Sequence, residues 1–324
     1  MLIGKRLRSL FNPEIYQGWG KKKGYFEGWY FKILNFKETS AFAIIPGIAM
    51  DTEGNRHSFI QVLDGKKRTA QYHKFTFESF NPDPARFIVS IDNNHFSEDS
   101  ISLDLPELKG KLYFSDNIPW PKTWFSPGIM GPYSFMPFME CYHGIVSMNH
   151  SINGQVEHNG TQIDFNGGRG YTEKDWGTSF PEAYIWIQSN HFSEDNISVK
   201  LSVARIPWLR GSFTGFIAGV WLRDKLIQFT TYNSSGLKKV RAGSESVEIE
   251  IENKNYRLLI SAGRTSATSL ASPIGGFMDG RIEESMSSVV DLTLIDRQTG
   301  ISVFSDKGRN SAVEVAGNIE KILV

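Results

Sequence analysis

The densest run of chemically capable side chains is Tyr171-Thr172-Glu173-Lys174-Asp175-Trp176-Gly177. It is followed by Phe180-Pro181 and by Ile185-Trp186-Ile187-Gln188-Ser189-Asn190. On an extended strand successive side chains point to opposite faces. Tyr171, Glu173 and Asp175 then share one face, with Lys174 and Trp176 on the other. Two carboxyls two residues apart can divide into a protonated acid and an ionised partner, because burial and like charge both disfavour the second ionisation. Aromatic walls would exclude water there, and their π faces would stabilise a cationic intermediate. A structural alternative stands beside this one: an interdomain ion pair of Glu173 or Asp175 with Lys174 or Arg169, Trp176 being core.

A second constellation is Glu27-Gly28-Trp29-Tyr30, with Glu27 and Trp29 on one face and Gly28 and Tyr30 on the other. Gly28 marks either a close backbone approach or a bulge, and a plain core strand explains the run as well. Between the two lies a loop rich in Pro, Gly and aromatics, Trp120-Pro121-Lys122-Thr123-Trp124-Phe125-Ser126-Pro127-Gly128, continuing to Gly144. In it Phe135, Met136, Phe138 and Met139 offer a soft apolar surface suited to a hydrocarbon ligand or to domain packing. Glu140 and His143 are candidates to assist proton transfer, although an isolated histidine is more often structural.

Other chemistries are not signalled. Gly167-Gly168-Arg169-Gly170 lacks the Lys-Ser/Thr of a phosphate-binding loop, and no dinucleotide fingerprint opens a helix. No Gly-x-Ser-x-Gly elbow occurs. The seven histidines are scattered without metal-ligand spacing; His143, His150 and His158 give only a weak hint of a shared site. We therefore expect no metal and no cofactor.

The elements that must position these residues read as strands. Apolar residues alternate with polar ones in Phe87-Ile88-Val89-Ser90-Ile91, Ser100-Ile101-Ser102-Leu103-Asp104-Leu105 and Val247-Glu248-Ile249-Glu250-Ile251. Asn253-Lys254-Asn255 then predicts a hairpin into Tyr256-Arg257-Leu258-Leu259-Ile260. Asp64-Gly65 predicts another between 58–63 and 69–77, and Asn153-Gly154 a third between 148–152 and 155–158. Asn159-Gly160 predicts a further turn. Helical periodicity is weak, best around 319–324. Residues 26–33 and 180–187 share Phe, Tyr and Ile at matching places, a thin trace of two similar β domains. We expect these at 1–160 and 161–324, with the boundary near the glycines at 167–170. The hexapeptide Asn-His-Phe-Ser-Glu-Asp occurs at both 94–99 and 190–195, as a recurring loop or a coincidence.

At 324 residues the chain is long enough for two such domains. Thirty-five basic residues balance thirty-five acidic ones, which argues against a nucleic-acid partner. One cysteine, Cys141, excludes an internal disulfide and a cysteine zinc cluster, and fits a reducing compartment. The basic N-terminus lacks the apolar stretch of a secretory signal, and the apolar runs at 41–50 and 213–222 fall short of the ~20 residues that span a bilayer. The expectation is a cytoplasmic protein, with peripheral membrane contact open through Lys5, Arg6, Arg8 and Lys21-Lys22-Lys23.

Three segments carry a resemblance. Gly24-Tyr25-Phe26-Glu27-Gly28-Trp29-Tyr30-Phe31 resembles the opening motif of the tocopherol cyclase family. Residues 171–181, running into Trp186-Ile187-Gln188-Ser189-Asn190-His191-Phe192, are similar to its central motif. Ala312-Val313-Glu314-Val315-Ala316-Gly317 is similar to its closing one. The resemblance implies two packed, lipocalin-like antiparallel β-barrel domains. It also implies closure of a chromanol ring on a phytylated hydroquinone: an acid protonates the trisubstituted alkene, and the phenol oxygen attacks the tertiary cation. No redox cofactor is needed.

On this reading Glu173 matches the motif's Glu as the acid, and Lys174 holds a carboxylate or the phenolate. Asp175 stands where the family motif has Asn. Trp29, Tyr30, Trp176 and Trp186 line the pocket, with Glu27, Tyr171, Gln188, Asn190, Glu140 and His143 as further substrate contacts. Tyr184, Ile185 and Ser189 depart from the family pattern, and no plastid transit segment precedes Gly24. These departures leave room for another prenylated quinol or terpenoid. A lipophile carrier and an isoprenoid hydratase are the competing readings, with carbohydrate binding behind them.

Overall fold

A computed structural model describes residues 2–137 and 139–324; Phe138, expected in the apolar loop surface, lies outside the described residues. The chain forms two compact units. The first runs to Phe180 and also takes in Leu270–Arg281, and the second comprises Pro181–Ser269 and Ile282–Val324. The division expected at 160/161 is therefore corrected. The glycines at 167–170 lead into a strand that completes the first sheet, so that sheet cannot close before 177.

In the first unit a short helix, α1 (Leu2–Leu10), precedes twelve strands. These are β1 (Tyr25–Leu34), β2 (Ala41–Met50), β3 (Arg56–Asp64), β4 (Thr69–Phe75), β5 (Phe80–Pro82) and β6 (Ile88–Ile91). There follow β7 (Asn94–Ser97), β8 (Ser100–Asp104), β9 (Leu108–Ser115), β10 (Cys141–His158), β11 (Thr161–Asp164) and β12 (Gly168–Gly177). Their order across the sheet is β4-β3-β2-β1-β12-β10-β9-β8-β7-β6-β5, with β11 beside β10. The two outermost strands are joined directly through the 3-10 turn Phe77–Ser79. The sheet curls around one apolar core to which Ile60 and Val62 of β3 and Val89 and Ile91 of β6 all contribute. Trp29 and Phe31 are fully buried in it. Trp29 stacks on Phe87 at 5.5 Å, and each such ring removed from water contributes about 1.5–3 kcal/mol.

The second unit adds β13 (Ala183–Ser189), β14 (Ser198–Trp208), β15 (Gly211–Leu222), β16 (Lys225–Thr230) and β17 (Gly236–Ala242). It continues with β18 (Ser246–Glu252), β19 (Tyr256–Gly263), β20 (Thr268–Ile274), β21 (Phe277–Asp296) and β22 (Ser302–Gly317). The order is β16-β15-β14-β13-β22-β21-β19-β18-β17, with β20 beside β21. Both sheets therefore repeat one layout. A four-strand meander ends on its own first strand, β1 or β13, which pairs with the unit's last long strand, β12 or β22. The matching residues 26–33 and 180–187 fall on or beside β1 and β13, so the thin sequence trace coincides with equivalent strands.

Most local expectations hold. β18 and β19 pair with Ile251 opposite Leu258, and Asn253 Oδ1 accepts the backbone N–H groups of Asn255 and Tyr256 in the turn. β3 and β4 pair from Asp64 and Thr69. Asn159 and Gly160 both take positive φ, as a two-residue hairpin requires.

Two expectations are corrected and one left open is resolved. Asn153-Gly154 is no turn, because β10 runs unbroken from Cys141 to His158. Gly154 has φ +123°, and a Cβ there would lie 2.4 Å from the Lys111 carbonyl, so the glycine serves close strand approach instead. The hexapeptide is a coincidence: its first copy covers strand β7, and its second follows the end of β13 as a loop. Around 319–324 there is only a 3-10 turn, Ile319–Ile322. The α-helix among the described residues is α1, which the sequence reading did not anticipate.

Candidate active site

β12 lies between β1 and β10 at the middle of the first sheet. Residues directly opposite one another on paired strands share a face. The register sets Tyr30 opposite Glu173 and Gly28 opposite Asp175 on β1, and Ile145 opposite Glu173 and His143 opposite Asp175 on β10. One face therefore gathers Tyr30, Tyr171, Glu173, Asp175 and His143. Trp29 and its neighbours on the alternate positions form the apolar core on the other.

His143 links the two carboxylates. Its Nδ1 lies 2.8 Å from Asp175 Oδ1, and its Nε2 lies 3.5 Å from Glu173 Oε2. The second distance is ion-pair range, and Nε2 makes no hydrogen bond among the described residues. A carboxylate on Nδ1 fixes the proton there and leaves Nε2 as the basic nitrogen. Tyr171 donates a short hydrogen bond to Glu173 Oε2. Burial, reinforced by the Glu173 charge, pushes the Tyr171 hydroxyl well above its ordinary pKa, so Tyr171 stays a donor at neutral pH. The result is a row of adjacent groups, Asp175, His143, Glu173 and Tyr171, hydrogen-bonded at both ends and in close approach between His143 and Glu173. Tyr171 and Glu173 are almost wholly buried, while His143 and Asp175 are partly open.

Gly28 faces Asp175 across the strand pair. A Cβ built on it would make only ordinary contacts, 3.5 Å or more from the Pro46 carbonyl and the Ile45 side chain. The backbone does not demand glycine here. A larger side chain here would press on Pro46, Ile45 and Phe59, next to the carboxylate.

The same three groups, His143, Glu173 and Asp175, offer ligand atoms that all lie within 4.8 Å of one another. A cation on His143 Nε2 and Glu173 would leave Asp175 as the outer partner of Nδ1. Two protein ligands would remain, short of the three that catalytic zinc sites use. The donor set suits proton transfer better than metal binding.

The other expected residues are placed as follows. Lys174 does not join the carboxylates on its neighbours. It is wholly buried on the core face, with Nζ 2.6 Å from Glu27 Oε1 and donating to the carbonyls of Pro13 and Ile15. It also lies over the rings of Trp29 and Trp176, at 4.8 and 4.7 Å. Burial lowers its pKa, opposed by the Glu27 charge. Glu27 further accepts from the N–H groups of Gln17 and Gly18 and from the Tyr25 hydroxyl. Lys174, expected to hold a carboxylate or the phenolate, holds the carboxylate of Glu27, and with Trp29 and Trp176 the pair forms a polar clamp between aromatic walls. The period of two on each strand puts them behind the sheet from Glu173.

The contacts described for Glu140 are those of its backbone carbonyl, which accepts from Thr178 and Ser179. Trp186, Gln188 and Asn190 are buried in the second unit. There Trp186 and Gln188 occupy the alternate positions to Ile185 and Ile187 of that unit's core. The link the sequence reading missed is the one from His143 to both carboxylates. The separation of 32 positions between His143 and Asp175 hides it, and only the β10–β12 register reveals it.

Fold and site together define a lipocalin-like protein of two antiparallel β units, the first carrying a half-buried carboxyl–imidazole–carboxyl cluster on one sheet face. The fold is shared with CghA, solved with Sch210972, at a TM-score of 0.59 and 11% identity over 91% of this chain and 89% of that one. The family model described as tocopherol cyclase-like matches residues 115–317, and the chain belongs to that family. Over 68 residues it is 34% identical to the chloroplastic tocopherol cyclase of Zea mays and to the protein of Oryza sativa subsp. japonica named "Probable tocopherol cyclase, chloroplastic". That segment is 21% of this chain and 14% of each plant protein.

Proposed function

We propose that the protein is an acid-catalysed cyclase of a prenylated hydroquinone, with Glu173 as the proton donor. The observation that carries this reading is His143 held between Asp175 and Glu173. Protonated Glu173 gives its proton to the trisubstituted alkene, and the alkene's π electrons form the new C–H bond. The tertiary cation that results lies beside the rings of Tyr30 and Tyr171, whose π faces favour positive charge. The phenol oxygen then supplies the electron pair of the new C–O bond. Its proton passes to His143 Nε2, whose imidazolium Asp175 stabilises, and from there back to Glu173. The cycle consumes nothing and leaves an isomer of the substrate.

The family membership and the 34% identity to plant tocopherol cyclases support a phytylated hydroquinone as substrate. The test is incubation with phytylated dimethylhydroquinone kept reduced under nitrogen, with product mass and retention as the readout. A chromanol of unchanged mass is the expected product. A product heavier by one water would make this a hydratase. Tight binding without conversion would make it a carrier.

A further inference from the structure

Residues 123–126 of the first unit form a tight turn closed by two backbone hydrogen bonds, Thr123 N–H to the Ser126 carbonyl at 2.8 Å and the reverse at 3.2 Å. At its tip Trp124 is 81% exposed and Phe125 83%. Two large aromatic side chains on a hydrogen-bonded turn are costly to leave in water, by about 1.5–3 kcal/mol each relative to burial. The patch extends beyond the turn. The Phe11 ring meets Trp124 edge-on at 5.8 Å and Phe135, itself partly exposed, at 6.1 Å. Phe11 directly follows α1, which exposes Leu7 between Arg6 and Arg8 and carries no acidic residue. Of the nearby carboxylates, Glu14 is neutralised by Lys122 at 2.7 Å, and Asp83 feels the charge of Arg8.

We propose that this surface docks the protein on an anionic lipid bilayer, with Trp124 and Phe125 entering the headgroup boundary and the cations of α1 facing the lipid charge. Paired aromatics beside a basic, amphipathic helix form an interfacial arrangement. A protein partner would need a surface of about 800 Å² with matching hydrogen-bond groups, whereas the tip is two rings wide. The inference rests on the surface alone and is independent of the reaction at Glu173.

The test is co-sedimentation of the full chain with vesicles of phosphatidylglycerol and phosphatidylcholine at low salt. Binding is expected, weakened about tenfold by Trp124→Ser with Phe125→Ser and also by Arg6→Glu with Arg8→Glu. Both aromatic side chains stand mostly in solvent, so the serine pair is expected to keep the melting temperature. Acyl chains brominated near the headgroup should quench tryptophan fluorescence, and less so in Trp124→Phe. A wild-type protein that stays in the supernatant, or a serine pair that binds as tightly, would overturn the proposal. So would a lipid-free dimer that the serine pair dissociates, which would assign the patch to a second copy of the chain.

Discussion

His143 Nδ1 stands 2.8 Å from Asp175 Oδ1, on neighbouring strands and directly opposite in register. The resemblance to the family's central motif implies Asn at the position of Asp175. An amide oxygen also accepts from Nδ1–H, so either residue holds the imidazole in one tautomer.

Asp175→Asn should therefore lower kcat by no more than about tenfold, while Asp175→Leu, which removes the acceptor, should lower it by about a hundredfold. In both, KM should change little, because the effect passes through His143. Equal losses in kcat for the two variants would remove Asp175 from its orienting role.

Lys174 gives a prediction of the opposite kind. It is paired with Glu27 at zero exposure and holds the carbonyls of Pro13 and Ile15. Lys174→Met strands the Glu27 carboxylate and should cost about 3–5 kcal/mol of stability, measured by denaturant unfolding. Adding Glu27→Gln should recover part of that loss. Turnover per folded molecule should stay within a few-fold of wild type. A folded, stable but inactive Lys174→Met would return the lysine to the chemistry.

Much of this was legible in the sequence, and the limits are physical. The alternation of Tyr171, Glu173 and Asp175 against Lys174 and Trp176 is a local property of a strand, so the split between site face and core face follows from spacing alone. Lys174 was nonetheless expected at the site because it sits in the same motif. Its burial becomes evident only when Glu27, 147 positions earlier, is placed beside it by the β1–β12 register. His143 looked isolated for the same reason. Asn153-Gly154 shows the limit of turn chemistry: the dipeptide that favours a hairpin serves equally to let β9 approach β10. The repeated hexapeptide shows that six identical residues take the structure their neighbours impose.

Gly28 sits on the site face opposite Asp175, where an added Cβ would make only ordinary contacts. Gly28→Val should fold with a melting temperature only slightly lowered, yet raise KM about tenfold by adding bulk beside the carboxylate. Unchanged kinetics would mean that the substrate does not use this space.

His150 allows a prediction about acid stability. Its ring is buried against Phe114 at 4.5 Å and makes no hydrogen bond through either nitrogen among the described residues. Burial pushes its pKa down from 6.5 to about 3. Between those values the unfolded chain binds a proton that the folded one refuses, so stability is lost as pH falls below 6.5. From pH 7 to pH 5 this one residue should account for about 2 kcal/mol. Unfolding of His150→Leu at the two pH values should show a loss smaller by that amount. An identical loss in variant and wild type would mean that His150 titrates normally in the fold.

The proton transfer from Glu173 is tested most directly by turnover of reduced phytylated dimethylhydroquinone in D₂O, comparing wild type with Glu173→Gln. The wild-type chromanol should carry one non-exchangeable deuteron on the carbon of the former alkene, and the folded variant should form none of it at a detectable rate. A chromanol without the label, or a fully active Glu173→Gln that labels like wild type, would contradict alkene protonation by Glu173.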